Sequence, residues 1–275
     1  MATKEQIKLI GEKAKIMRRH IVEMIGDNKV GHLGGSCSSA DLVAALYFYK
    51  MKLDAKDPKL GGRDRFLLSK GHAALVQYAA LAELGYFPRE ELHRVKELGS
   101  ILQGHPDMAK TPGIEANTGS LGQGLSIACG MGLGLRLDGS TSKVYVLVGD
   151  GEIAEGQVWE AAMAAANYKL DNVVAILDRN RLQATGPVIE RFNTNPINAK
   201  WEAFGWEVIE IDGHDIEQVC NALDKADEVK GKPVIIIANT IKGKGISFAE
   251  NNPAFHNGSM TGEQYSQALK ELSIS

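Results

Sequence analysis

A βαβ pattern occupies residues 143–187 and constrains the fold more than any other stretch of the chain. Residues 144–148 form a continuous apolar run rich in β-branched side chains, which is typical of a strand buried on both faces of a parallel sheet. An Ala-rich segment at 157–169 predicts a helix, and a second buried strand is predicted over 172–177. This order of elements predicts an α/β fold, with a parallel β-sheet flanked by helices.

A polar turn follows each of the two strands. Asp150 lies between two glycines after the first strand, and Asn180 follows the second. Because the carboxyl ends of neighbouring parallel strands meet at one sheet edge, we expect these side chains to lie side by side. One carboxylate and one amide oxygen form a partial shell for Mg²⁺, which takes further ligands from phosphate. The helix that follows offers free N–H groups to the same anion, so the unit predicts a metal-bridged diphosphate site.

The two turns and their flanks resemble transketolase. The sequences that carry the resemblance are GDGEIAEG and LDRNRLQATG, in which GDG precedes the asparagine by about thirty residues, as in the thiamine-diphosphate fingerprint. The resemblance implies a thiamine-diphosphate-binding fold in which Asp150, Asn180 and the Leu182 carbonyl hold the metal. That metal would be Mg²⁺, with Ca²⁺ or Mn²⁺ as substitutes.

The resemblance also implies cofactor contacts beyond the metal. Transketolases carry a TGPLGQG loop at the pyrimidine end of the cofactor, and this chain has Gly119, Ser120 and Leu121 there, with serine in place of the usual proline. Gly151 would lie against the diphosphate. Glu155 would lie at a subunit interface beside a partner carboxylate, although the helix dipole alone explains a glutamate at this helix start.

Four histidines lie in Gly-rich or turn-like segments that resemble transketolase: His32 in GHLGGS, His72 in RDRFLLSKGH, His105 in GHP and His256 beyond GKGISFAENN. Composition alone would make them loop or surface residues. The resemblance instead implies catalytic contacts with substrate hydroxyls and phosphate, together with proton transfers. His72 and His256 would also contact the diphosphate. The GHP turn favours transketolase over deoxyxylulose-phosphate synthase, which commonly lacks it.

Other segments predict local structure rather than chemistry. Apolar residues spaced at three and four positions over 7–24 indicate an amphipathic helix. The glycines of 31–36 predict a loop, and Ser38 with Asp41 predicts a capping box for the next helix. Five glycines within 122–134 are costly in a helix and would be explained if another backbone packs very close. His214 is interpreted as turn or capping structure.

Composition narrows the class of protein. The chain has 275 residues and a net charge of −3, which gives no support for a nucleic-acid-binding surface. Three widely spaced cysteines form neither a metal pattern nor a disulfide framework, which predicts a reducing, cytoplasmic location. No apolar run is long enough to span a membrane. Without repeats or a Pro-rich linker, we expect a single domain over 1–275.

The resemblance covers nearly the whole chain but only the first third to half of a single-chain transketolase. In that family a glutamate of the second domain activates the aminopyrimidine across a subunit interface. We therefore expect the N-terminal subunit of a split transketolase, active only with a separate C-terminal chain that carries the pyrimidine-binding half. A dimer of this subunit would form the centre of a heterotetramer. It would transfer a two-carbon ketol unit between sugar phosphates, as in the pentose phosphate pathway.

Three alternatives remain open from the sequence. The chain could be a subunit of another thiamine enzyme, such as a deoxyxylulose-phosphate synthase or a 2-oxoacid dehydrogenase. A ketol transferase specialised for a branched or sulfonated sugar would share every motif. A non-catalytic cofactor-binding or scaffold subunit is the third, and the intact Asp150, Asn180 and histidines count against it.

Overall fold

Five parallel strands form the centre of the protein, in the order β1-β2-β3-β7-β6. The structure is a computed structural model that describes residues 1–27 and 29–273. The strands are β1 (Arg65–Leu68), β2 (Val144–Gly149), β3 (Val173–Arg179), β6 (Glu207–Asp212) and β7 (Val234–Asn239), and a separate antiparallel pair consists of β4 (Leu182–Gln183) and β5 (Gly186–Pro187). The parallel sheet predicted from the βαβ pattern is confirmed.

Helices surround this sheet. They are α1 (Lys4–Ile25), α2 (Leu33–Ser38), α3 (Ala40–Ala45), α4 (Ala74–Leu84), α5 (Gln123–Leu137), α6 (Gly156–Asn167), α7 (Val188–Arg191), α8 (Ile197–Ala203), α9 (Ile216–Glu228) and α10 (Gly262–Glu271). Short 3-10 turns span Gly71–Ala73, Arg89–Arg94, Glu152–Ala154 and Pro253–His256, and a π-helical turn spans Leu46–Lys50. Among the described residues, no helix is long and apolar enough to cross a membrane.

Both faces of the sheet are buried, as the continuous apolar run in β2 predicts. Tyr145 and Leu147 of this strand pack into a core with α1, α3, α4 and α9. The alternate residues of β2 pack into a second core with α5, α6 and α8. Because successive side chains of a strand point to opposite faces, a strand between two helical layers has to be apolar throughout.

The register between β2 and β3 positions the candidate site. Gly149 pairs with Asp178, so Asp150 and Asn180 both emerge at the carboxyl edge of the sheet. The helix predicted over 157–169 is α6, which begins one residue earlier and ends before Lys169, where φ turns to +52°. The predicted βαβ unit is therefore present with small shifts in its boundaries.

The loop predicted over 31–36 is wrong, because most of it forms the short helix α2. Its glycines serve close packing rather than a turn. A Cβ on Gly34 would lie 2.9 Å from Lys242 Cγ and 3.0 Å from the Phe255 carbonyl oxygen. The segment therefore lies directly against the loop that follows β7.

The capping box predicted from Ser38 and Asp41 is also wrong. Helix α3 begins after Ser39 and has no side-chain cap. The Ser38 hydroxyl instead donates to Asp178 Oδ2 at 2.7 Å, and Asp41 pairs with Arg18 and with His214 Nδ1. Long-range partners have taken both side chains that the local pattern assigned to the helix end. His214 therefore does more than form a turn, since its Nε2 also accepts from the Ile241 N–H at 2.8 Å.

The glycines of α5 have two different surroundings. A Cβ on Gly124 would lie 2.7 Å from the Ser69 Cα, and one on Gly132 would lie 2.7 Å from a Val173 methyl group. Gly130 and Gly134 have no such neighbour within 4 Å among residues 1–27 and 29–273. Close packing inside the chain explains the first pair only.

Candidate active site

A cavity of about 480 Å³ lies at the carboxyl edge of the sheet, between the ends of β1, β2 and β3. Its walls include Asp150, Asn180 and Leu182, the three residues proposed from the resemblance to hold a metal. The same three residues also line a second cavity of about 560 Å³, so they form a wall between the two spaces. Their oxygen donors are a carboxylate, an amide and a peptide carbonyl, which suit a hard cation such as Mg²⁺ or Ca²⁺.

Asp150 is held at this edge by the backbone. Its side chain is buried, with the residue 4% exposed, and Oδ2 accepts a hydrogen bond from the Arg181 N–H. Burial, together with the nearby Asp178 carboxylate, raises the pKa of Asp150 to about 7. A buried carboxylate with this bias gains from a cation beside it.

Asn180 is oriented by Asp178, a residue to which the sequence interpretation assigns no role. The Asn180 Nδ2 donates to Asp178 Oδ2 at 2.9 Å, and Oδ1 accepts from the Leu182 N–H at 3.1 Å. Asp178 is fully buried and also accepts from Lys70 and Thr240. Burial alone would raise its pKa, but the Lys70 ammonium and the hydrogen bonds from Thr240 and Ser38 together hold the pKa of Asp178 below its usual range. Lys70 and Asp178 thus fix the amide whose oxygen is the candidate ligand.

Lys242 is a second buried cation in the wall of the cavity. Its Nζ donates to the Leu182 carbonyl at 2.8 Å and lies 2.7 Å from His256 Nδ1. Burial, with a contribution from Lys70, lowers the pKa of Lys242 to about 8.

The four predicted histidines are brought together from distant parts of the chain. The ring centroid of His32 lies 5.0 Å from that of His72, 5.6 Å from His256 and 6.5 Å from His105. His72 and His256 line the cavity itself, with ring centroids 5.1 Å apart. In the described part of the chain, no group of three or more His, Cys, Asp or Glu residues is arranged to hold a metal ion.

These imidazoles are neutral near pH 7. Burial lowers the pKa of His32 to about 4, and the positive charge of Lys96 adds to this effect. Burial also lowers the pKa of His256 to about 4, and there the positive charge of Lys242 adds to the effect. Burial and the Lys70 ammonium lower the pKa of His72 to about 2, and burial also lowers that of His105. A neutral imidazole can donate one hydrogen bond and accept another, which suits contact with hydroxyl groups.

The loop over 119–121 lies beside this cluster. Gly119 adopts φ +140° and its Hα side faces His105, since a Cβ there would lie 2.7 Å from the His105 ring. Leu121 lines the cavity and is partly exposed, whereas Ser120 faces solvent. The structure therefore brings Leu121 and Gly119 to the site and leaves Ser120 at its outer edge.

Glu152 anchors that loop, and sequence reasoning missed it. This buried carboxylate accepts from the Gly122 N–H at 2.9 Å, from the Gly149 N–H at 3.0 Å and from the Ser69 hydroxyl. It therefore ties the ends of β1 and β2 to the loop before α5. A charged residue four positions after the end of a predicted buried strand was the available signal, because a charge that becomes buried there needs buried partners.

Gly151 and Glu155 both line the cavity. Gly151 lies against the Gln183 side chain, because a Cβ there would approach Gln183 Cγ to 2.8 Å. Glu155 is the exposed N-cap residue of α6 and makes no side-chain capping bond. Its carboxylate is thus favourably placed for the helix dipole and free to meet another group.

The match to known proteins decides the family. Residues 11–274 match the model of the transketolase, thiamine diphosphate binding domain. The chain belongs to this family. Its fold is correspondingly that of solved transketolases: a transketolase variant from Pichia stipitis superposes with a TM-score of 0.92 at 31% identity, over 97% of this chain and 41% of that one.

Several proteins named as transketolase subunits match over nearly their full length. A protein of Clostridium sp. named as a 6-deoxy-6-sulfo-D-fructose transketolase subunit is 46% identical, over 94% of each chain. A protein of Phocaeicola vulgatus, named as one of the subunits of an apulose-4-phosphate transketolase, is 42% identical, over 98% of this chain and 95% of that protein. Human transketolase is 42% identical over 88% of this chain but only 38% of its own length.

Proposed function

We propose that this transketolase-family chain is the diphosphate-binding subunit of a split transketolase. With a separate C-terminal chain, it transfers a two-carbon ketol unit from a ketose phosphate to an aldose phosphate. The single observation that carries the proposal is the convergence of Asp150, Asn180, the Leu182 carbonyl and two of the four histidines on one cavity. The full-length match to proteins named as transketolase subunits supports the split arrangement.

The residues present fit a bound divalent cation. Asp150, Asn180 and Leu182 supply only oxygen donors, and the ammonium of Lys242 already lies at one of them, at 2.8 Å from the Leu182 oxygen. We assign these three residues to Mg²⁺, with Ca²⁺ or Mn²⁺ as substitutes, because hard cations take oxygen ligands and share phosphate oxygens. We assign Gly151 to a contact with the diphosphate. The N–H groups at the N-terminus of α6 would offset part of its negative charge.

We assign the remaining predicted residues by their place around the cavity. Gly119, Ser120 and Leu121 form the loop for the pyrimidine end, and Glu155 is available to a partner chain. His72 and His256 line the cavity and would contact the diphosphate. Thiamine diphosphate, when bound, supplies the carbanion chemistry needed to move a ketol unit.

The histidines would act on the sugar. Because His32, His72, His105 and His256 have pKa values below their ordinary range, they are neutral near pH 7, and each can accept a hydrogen bond from a substrate hydroxyl. Their mutual spacing of 5.0–6.5 Å lets several of them contact successive hydroxyls of one sugar. A sugar phosphate would then be bound jointly by this chain and its partner.

The proposal includes assembly and location. The pyrimidine-binding half belongs to the partner chain, and two copies of the present chain associate within a heterotetramer. Apolar side chains exposed on and beside α5 and α6, including Leu137, Met163 and Tyr168, support self-association. Three buried, free cysteines support a place in the cytoplasm.

A specialised sugar is the second candidate. The relatives at 46% and 42% identity carry names that specify a sulfonated ketose and a branched sugar phosphate. A ketol transferase for a sugar of this kind would use the same cofactor site, because only the substrate-binding part has to differ.

The test combines this chain with a candidate C-terminal chain and measures ketol transfer with a panel of ordinary, branched and sulfonated sugars. We expect transfer by the pair and none by either chain alone. Asp150→Asn should lower cofactor-dependent activity by more than about 100-fold, since even outer partners of a metal ligand matter 10–100-fold. Asp171→Asn is the matched control at the opposite end of β3, where the Asp171 side chain accepts, among the described residues, only from the Gly231 N–H. Strong transfer without any partner would contradict the split arrangement.

A further inference from the structure

Lys242 is buried without a carboxylate partner. It is 2% exposed, and no carboxylate oxygen of the described residues lies within ion-pair distance of its ammonium. Its two contacts are the Leu182 carbonyl at 2.8 Å and His256 Nδ1 at 2.7 Å. An ammonium has three donors and is costly to bury without strong partners. The Leu182 carbonyl and His256 are therefore the groups that hold the Lys242 ammonium in place.

The Leu182 carbonyl has two candidate cations. In the structure its partner is the Lys242 ammonium, and under the proposed function it is a ligand of the divalent metal. A metal ligand lies about 2.1–2.5 Å from its ion, so an ammonium at hydrogen-bond distance from the same oxygen would lie within a few ångströms of that ion. Repulsion between a monovalent and a divalent cation at this range is large in a buried site.

Lys70, the other buried lysine in the wall of the cavity, has different partners. Lys70 donates to Asp178 and to the Gly35 carbonyl, at 2.8 Å for the latter, and neither of these partners is itself assigned as a metal ligand. Lys70 can therefore stay in place when a metal binds. Lys242 is the cation whose present partner is needed by the metal.

We propose that Lys242 stands in for the metal in the unloaded chain, and that metal binding displaces its ammonium from the Leu182 carbonyl. The exchange rests on the proposed function, because it takes Leu182 as a metal ligand. After displacement the ammonium remains in the cavity wall beside His256 and can donate to an anion there.

The proposed exchange predicts that removal of Lys242 changes the affinity for the metal and the affinity for thiamine diphosphate in opposite directions. Without Lys242, a metal alone no longer competes with a resident cation and binds more tightly. With thiamine diphosphate present, the same change removes a cation from the wall of an anion site and weakens binding. A residue with only a structural role would weaken both.

The experiment measures Mn²⁺ binding to the purified full chain by electron paramagnetic resonance of the free ion. We expect Lys242→Met to bind Mn²⁺ alone about tenfold more tightly than wild type, because repulsion is relieved. Binding of thiamine diphosphate at saturating Mn²⁺, followed by calorimetry, should be weaker in the same variant. Lys242→Gln, which keeps a polar side chain without the charge, is the second variant if the methionine variant fails to fold.

Lys244→Met is the matched control, since it makes the same substitution in the same loop, where Nζ lies 3.8 Å from Glu250 and the side chain is 35% exposed. It should bind Mn²⁺ like wild type. Equal Mn²⁺ affinity in wild type and both Lys242 variants would overturn the exchange while leaving the proposed function intact. No Mn²⁺ binding by any form, with thiamine diphosphate present, would overturn the metal site and the exchange together.

Discussion

Arg181 adopts a left-handed backbone conformation, with φ +67°. It stands in the chain between Asn180 and Leu182, two of the three candidate metal ligands. This conformation aims the Arg181 N–H at Asp150. A non-glycine residue in this region is strained by about 1–2 kcal/mol. The strain is tolerated because the turn delivers Asn180 and Leu182 to the same edge of the sheet as Asp150.

Replacing Arg181 isolates this strain. Arg181→Gly and Arg181→Ala both remove the guanidinium and its contact with Asn239, and they differ only in a Cβ. We expect the glycine variant to be about 1 kcal/mol more stable than the alanine variant, because glycine adopts positive φ without penalty. Urea unfolding measures the difference. An alanine variant that equals or exceeds the glycine variant would contradict the strain.

The histidine cluster predicts loss of stability on mild acidification. The unfolded chain binds protons at histidine below about pH 6.5, whereas His72 in the folded chain has a pKa of about 2. A depressed folded pKa contributes stability that is present above the unfolded pKa and lost as the pH falls. For His72 the loss between pH 7 and pH 5 is up to about 2 kcal/mol.

Two variants separate this effect from general acid unfolding. His72→Asn should reduce the fall in the urea midpoint between pH 7 and pH 5. His20→Asn should increase the fall: burial opposes it, but Glu23 and Glu83 raise the pKa of His20, so His20 stabilises the fold below about pH 6.5 and loses this effect as the pH rises. Identical midpoint shifts in both variants and wild type would contradict the assignment.

The sequence predicts the positions of those side chains that strand topology determines. Asp150 and Asn180 lie where the ends of β2 and β3 had to put them, because parallel neighbours share one edge. Lys70 meets Asp178 across 108 positions of the chain, and Lys242 meets the Leu182 carbonyl across 60 positions, and no local pattern specifies those pairs. Their ion pairs and hydrogen bonds were therefore beyond sequence reasoning.

At the scale of elements, Glu152 joins three segments that carry site residues. Its carboxylate accepts from the backbone of β2, from the loop before α5 and from Ser69 after β1. The loop over 119–121 is thereby fixed relative to Asp150. Because one oxygen serves both Ser69 and Gly122, loss of the carboxylate leaves several buried donors without a partner.

Truncating Glu152 should be costly for this reason. We expect Glu152→Ala to lower the free energy of unfolding by about 3 kcal/mol, since each buried donor left unsatisfied costs about 1–3 kcal/mol. Glu160→Ala, on the exposed face of α6, is the matched control and should change stability by less than about 0.5 kcal/mol. Chemical denaturation at pH 7.5 compares the two. A small effect at Glu152 would mean that water replaces the carboxylate.

The element boundaries also separate what local patterns can predict from what they cannot. Helix α4 ends at Leu84 and is followed by Gly85 in a left-handed conformation, which is a common helix end that glycine favours. The capping box at Ser38 and Asp41 fails because Asp178 and Arg18 bind those side chains more strongly than a helix end does. Local signals therefore hold where no buried charge competes for the same polar group.

At the scale of the whole molecule, the two helical layers differ in how completely they are covered. The layer of α1, α3, α4 and α9 encloses the larger core, and α10 packs on α1. The layer of α5, α6 and α8 leaves Leu137 and Met163 exposed, with Gly130 and Gly134 facing no neighbour within 4 Å. An uncovered layer of this kind, next to Glu155 at the cavity, is the face on which we expect a second copy to pack.

Bulk added to α5 tests this face while leaving the fold intact. A Cβ at Gly130 would meet no other described residue within 4 Å, and Gly130→Leu relieves a helical glycine, so it should stabilise the isolated chain by about 0.5–1 kcal/mol. It should also weaken self-association by at least about tenfold, because the new side chain obstructs close approach of the second copy. Sedimentation velocity over a range of concentrations measures the association.

Gly11→Leu is the matched control, because Gly11 is also helical, in α1, and also has no neighbour within 4 Å. It should give a similar gain in stability without any change in self-association, since α1 belongs to the covered layer. The comparison cancels the helix propensity that both substitutions share. If both variants associate like wild type, the copies meet through another surface, and Glu155 then lies at no interface between them.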